Sequence, residues 1–131
     1  MKKFFQIIRK IFGLEREGKT SLNAPRDKAQ LYGALHEAEK RLGMTHKGGT
    51  ITVKLEEGTM MSGARPWLGR PYMDQGVANG YASTAGYVML YTTNGRWRLE
   101  TAWHEFAHMI LWSRGVGVNE HHNMMRQHGI K

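Results

Sequence analysis

The pattern His104-Glu105-x-x-His108 lies inside an apolar run from Leu99 to Trp112, and this combination constrains the chain more than any other feature. Residues four apart stand one turn above each other on a helix. His104 and His108 therefore project from one face, within reach of a single metal ion, with Glu105 one step round. Leu99, Ala102, Trp103, Phe106, Ala107, Ile110 and Leu111 make this helix apolar on most sides, which predicts that it is buried. Two imidazoles and a carboxylate on a buried helix need partners, because unpaired buried polar groups are costly. A zinc ion with its water satisfies all three, the glutamate taking a proton from that water. The competing reading is two core histidines hydrogen-bonded to backbone, with Glu105 at the surface.

Composition narrows the ligand set. A length of 131 residues suits one compact domain with a modest core. The chain has no cysteine, which excludes disulfides and any thiolate zinc site and leaves His, Asp or Glu as ligands. Net charge is +8, and residues 1–20 hold six Lys/Arg against two Glu, or +4 of it. Such a balance is compatible with nucleic acid, an anionic membrane or an acidic partner, and selects none of them.

Along the chain, Phe4, Phe5, Ile7, Ile8, Ile11, Phe12 and Leu14 follow helical spacing, interleaved with Lys2, Lys3, Arg9 and Lys10. Arg9 and Lys10 break the apolar run, leaving it too short for a signal-peptide core or a membrane span. The expected location is therefore cytoplasmic. Residues 1–20 read as a basic amphipathic segment. It either folds onto the chain's own core or docks peripherally on a membrane surface, nucleic acid or a larger assembly. Glu15 to Asn23 reads as a linker, and residues 25–131 as the domain. A helix is expected over about 25–42, with Asn23 as N-cap, Pro25 in the first turn and Gly43 as C-terminal cap. His36 falls on its flank. Strict alternation of Ile51, Val53 and Leu55 predicts a half-buried strand over 50–56. Thr59-Met60-Met61 is a candidate short strand, residues 62–86 a long irregular segment, and Tyr87–Thr92 a further strand. The motif helix is expected from near Trp97 to Gly115, and a last helix, capped by Asn119, from Glu120 to about His128. These elements place the chain in the α+β class.

A catalytic zinc takes three protein ligands and leaves one position for water. Glu120, His121, His122 and His128 are the candidates for the third. If 120–128 is helical, His121 shares a face with Met124, Met125 and His128, while His122 is rotated by about 100°. Met124 and Met125 are that helix's large apolar residues, so their face points at the core. His121 is favoured on this ground, with His122 and Glu120 as alternatives. Spacing excludes a metzincin site, which needs Gly and His where Leu111 and Arg114 stand.

With Thr101-x-x-His104-Glu105-x-x-His108, a histidine 13 or 14 residues further on and Met124-Met125-Arg126 after it, the chain resembles a minimal zincin metallopeptidase, most of all the SprT-like group. Thr84-Ala85-Gly86-Tyr87 is also similar to a stretch in that group. The resemblance covers about residues 25–130. Its specific part is His-Glu-x-x-His. At the third ligand, His121-His122-Asn123-Met124-Met125 lacks the glycine and aromatic residue of the group's usual pattern. The resemblance implies a zincin fold, with a small, mostly antiparallel sheet packed on a helix and on the motif helix. It also implies a Zn²⁺-dependent hydrolase of protein or peptide substrates. Zinc would sit on His104, His108 and His121, with Glu105 as general base, and the transition-state oxyanion would find a donor among Tyr87, Tyr91, His122 and Arg126. Strand 87–92, as an edge strand, would pair with an extended substrate. The alternative function is a non-catalytic, zinc-stabilised basic binding or assembly protein.

Overall fold

In the computed structural model of the chain, which describes residues 19–58 and 79–131, β1 (Thr20–Asn23) leads into α1 (Lys28–Leu42) and then β2 (Gly49–Glu57). The hairpin of β3 (Gly80–Ser83) and β4 (Tyr87–Thr92) follows, then α2 (Leu99–Ser113) and α3 (Val118–Gln127). The basic segment expected over 1–20 lies outside the described residues except for Lys19 and Thr20, and so does the candidate strand at 59–61.

The alternation in β2 works as the pattern demands: Ile51 and Val53 are buried on one face while Lys54 is exposed on the other. β4 is buried from Val88 to Thr92, on both of its faces, as befits a strand flanked by two others. The sheet order is β1-β2-β4-β3. β1 pairs with β2 in parallel, β2 with β4 in parallel, and only β3 with β4 is antiparallel. The expected α+β class is present, but the mostly antiparallel sheet is not. The cause is the connections. Neighbouring parallel strands need a crossover of a dozen or more residues, and α1 supplies one between β1 and β2.

Two strands lie where the sequence suggests irregular chain. β1 occupies the expected linker. It buries Thr20 and Leu22 and pairs Leu22 with Ile51. Asn23 is thereby committed to β1, opposite Thr52, and cannot cap the next helix. Helix α1 instead starts after Asp27, whose φ of 58° is left-handed and whose carboxylate accepts from the Trp97 indole at 2.9 Å. β3 lies within the segment expected to be irregular and joins β4 through a tight turn in which Gly86 (φ 96°) donates to Ser83 O at 3.0 Å. At the other end, Gly43 (φ 71°) closes α1 as expected, donating to Glu39 O and Lys40 O.

Both α1 and α2 pack on the sheet around Leu31, Leu35, Phe106, Ile110 and Leu111, and Met125 of α3 and Ile130 close the core from the side. The start of α2 is aimed by the turn before it. Glu57 accepts from Thr92 Oγ1 at 2.7 Å and from the backbone N–H of Asn94 and Gly95 at 2.6 and 2.9 Å. Those three hydrogen bonds, with Arg26 nearby, hold the Glu57 carboxyl below its usual pKa. No described helix is long and apolar enough to cross a membrane.

Candidate metal centre

Helix α2 stacks His104 and His108 one turn apart, with ring centroids 4.9 Å from each other. After the short connection at 114–117, α3 turns back and sets His122 beside both, at 5.1 Å from the His104 ring and 5.0 Å from the His108 ring. One ligand atom from each of these three histidines lies within 4.8 Å of the others. They open onto a cleft of about 510 Å³ that is also lined by Glu105, Tyr81 and Trp112.

His121 stands elsewhere. The sequence favours it as third ligand, yet the structure groups His122 with His104 and His108. His121 is fully buried behind His108, its Nδ1 2.9 Å from His108 Nδ1 and its Nε2 2.9 Å from Val116 O. The core side of α3 does carry His121 and Met125, its two buried residues, while Met124 on the same predicted face is half-buried and His128 exposed. The cluster does not sit on that side. It sits at the boundary between core and cleft, and the exposed His122, one residue round the helix, reaches it. Glu120 is exposed and outside the cleft lining. His128 is exposed at the end of α3, and His36 is exposed on α1.

The electrostatics suit a neutral donor set. Burial, followed by the neighbouring His104, His122 and His121, pushes the His108 pKa down to about 3. Burial also lowers that of His122, with His104 and Arg126 adding to the effect. Both imidazoles are thus kept unprotonated near neutrality, the form in which a ring nitrogen binds a metal. Glu105, buried beneath the cleft, has its pKa raised to about 8 by loss of solvation. Three convergent imidazoles beside a desolvated carboxylate, with an open approach from the cleft, could hold a metal ion. They fit a thiolate-seeking ion poorly, the chain having no cysteine.

The other residues proposed from sequence are dispersed. Tyr91 is buried in the sheet, Tyr87 lies under the Lys54 ammonium at the start of β4, and Arg126 is exposed on α3. None of the three lines the cleft; Tyr81 of β3 does. Strand β4 is also not an edge, because β3 covers it and forms that edge of the sheet among the described residues. Tyr81 and β3 left little trace in the sequence. The hairpin turn Thr84-Ala85-Gly86 ahead of the β4 pattern was the available signal. Comparison with family models, with curated proteins and with solved structures finds no match to this chain.

Proposed function

We propose that the chain is a zinc-dependent metallopeptidase of the minimal zincin, SprT-like kind. One observation carries the reading. The ligand atoms of His104, His108 and His122 converge at a cleft whose lining includes the buried carboxylate of Glu105. A zinc ion held there would supply Lewis acidity toward water and toward a peptide carbonyl. Glu105 would take the proton from the attacking water and pass it to the leaving amine. Its pKa near 8 in the absence of a cation supports a base poised close to neutrality, and a bound dication would favour its ionised form. Among the described residues β3 forms the sheet edge beside the cleft, which suits an extended protein or peptide segment lying along it.

Metal analysis and a peptide-cleavage assay test this together. The wild type should hold one zinc per chain, and His104→Ala none. Glu105→Gln should keep the zinc and lose cleavage by at least a hundredfold, in line with removal of a general base. Cleavage undiminished in Glu105→Gln would overturn the assignment of the base. Stoichiometric zinc with no cleavage by wild type would favour a non-catalytic, zinc-stabilised binding protein.

A further inference from the structure

His121 is wholly buried, yet both of its ring nitrogens are engaged. Val116 O, 2.9 Å from His121 Nε2, is a carbonyl oxygen and can only accept, so Nε2 of His121 carries a proton. In neutral His121 this leaves Nδ1 as an acceptor. The atom facing it, 2.9 Å away, is His108 Nδ1, which must then be the donor. Neutral His108 with its proton on Nδ1 has its lone pair on Nε2. His104 obeys the same logic by another route: its Nδ1 lies 2.6 Å from the backbone oxygen of Lys131, again an acceptor, so the neutral tautomer that fits this contact has its lone pair on Nε2. The oxygen on Lys131 is held in place. Ile130 is buried and donates its N–H to Met125 O at 2.8 Å, and Arg41 Nη1 donates to Gly129 O at 2.9 Å.

We propose that His121 is a positioning residue, the middle of a relay Val116 O ← His121 ← His108 that fixes the tautomer and ring orientation of His108 so that its Nε2 faces the metal. The inference rests on the metal-centre reading for what that Nε2 does, but not for the tautomers themselves. A free imidazole exchanges its proton between the two nitrogens. A ligand caught in the wrong tautomer must move that proton before it binds. Partners on the far ring nitrogen remove this cost, and losing one weakens metal binding by roughly 10–100-fold. Trp112 braces the arrangement, with its ring 5.5 Å from that of His108 and 5.1 Å from that of His121.

The test begins on metal-free, ¹⁵N-labelled wild type at neutral pH, where two-bond proton–nitrogen correlations of the imidazoles report each tautomer. Protons on Nδ1 of His104 and His108 and on Nε2 of His121 are expected. A His108 proton on Nε2, or a doubly protonated His121, would overturn the relay. Metal titrations follow. His121→Gln keeps an acceptor and a donor and should bind zinc within a few-fold of wild type. His121→Leu keeps neither and should bind 10–100-fold more weakly, still at one zinc per chain and with the wild-type Co²⁺ absorption spectrum. Unchanged affinity in His121→Leu would sink the proposal, as would an altered Co²⁺ spectrum, which would make His121 a ligand. If wild type bound no metal, the metallopeptidase reading would fall while the tautomers would still be read from the metal-free protein.

Discussion

At the scale of single residues, Glu105 and His108 set opposing pH limits on the metal-free protein. Glu105 has a folded pKa of about 8 against an ordinary value of 4.5. The folded state therefore holds a proton that the unfolded chain gives up, and this stabilisation is fully present below 4.5 and is lost as pH rises through 8. His108 is shifted the other way, from 6.5 to about 3. Its neutral burial is unopposed above 6.5 and costs progressively more as pH falls toward 3, because the unfolded chain then binds the extra proton. Between about 4.5 and 6.5 the two slopes cancel. The lowered pKa of His122 adds its own loss as pH falls below 6.5, so thermal unfolding in the presence of chelator should show maximal stability toward the upper end of that window, falling on both sides. Glu105→Gln should abolish the alkaline fall, a difference on the order of 5 kcal/mol once the wild-type carboxyl is ionised. Persistence of the alkaline fall in that variant would show that Glu105 is not buried as described. The same residues explain what was legible here. His104, Glu105 and His108 are fixed by spacing on one helix. The choice between His121 and His122 is not, because it depends on where the cleft cuts the surface of α3.

At the scale of elements, the placement of β3 over α2 shapes the cleft. A Cβ added at Gly80 would lie 2.7 Å from Thr101 Cγ2, 2.9 Å from Glu105 Cγ and 3.0 Å from Glu105 Oε2. The strand runs against the helix at the turn that carries the proposed base, and only a residue without a side chain permits that approach. Gly80→Ala should destabilise the fold by about 1–3 kcal/mol through overpacking, measured by denaturant unfolding. It should also reduce cleavage while leaving zinc content intact. Adding Thr101→Ser, which removes the nearest methyl group, should recover part of the lost stability; strict additivity of the two changes would show that the contact is not the cause. Elements long enough to show a period were legible: β2 by its alternation, and α1 and α2 by their apolar faces. β1 and β3 were not, because Thr-Ser-Leu-Asn and Gly-Tyr-Ala-Ser are four residues each, with one large apolar side chain apiece. Their pairing, and with it the parallel sense of most of the sheet, comes from β2 and β4 offering partners, which is tertiary information.

Across the whole molecule, the groups around the candidate centre come from the last third of the chain, while β1, α1 and β2 supply the support. His104 and His108 sit on α2, and His122 on α3. The tail reaches back to place Lys131 O on His104. The tail in turn is anchored to α1 through Arg41, whose guanidinium lies 4.1 Å over the Trp103 ring and bonds Gly129 O. An ion on the three histidines would therefore join α2 and α3, two elements otherwise held by Met125, Ile130 and the buried His121. Because the unfolded chain cannot assemble that site, metal binding should appear as folding stability. Free zinc at a hundred times its dissociation constant adds about 2.7 kcal/mol, which for a domain of this size raises the unfolding temperature by on the order of 10 °C. Scanning calorimetry with buffered zinc, and again with chelator, should show that difference in wild type. His122→Ala should lose most of it, and His128→Ala, altered at an exposed position away from the cluster, should retain all of it. A wild-type unfolding temperature indifferent to zinc would remove the metal centre from this fold. A shift that survives in His122→Ala would instead return the third ligand to His121, the residue the helical face singled out.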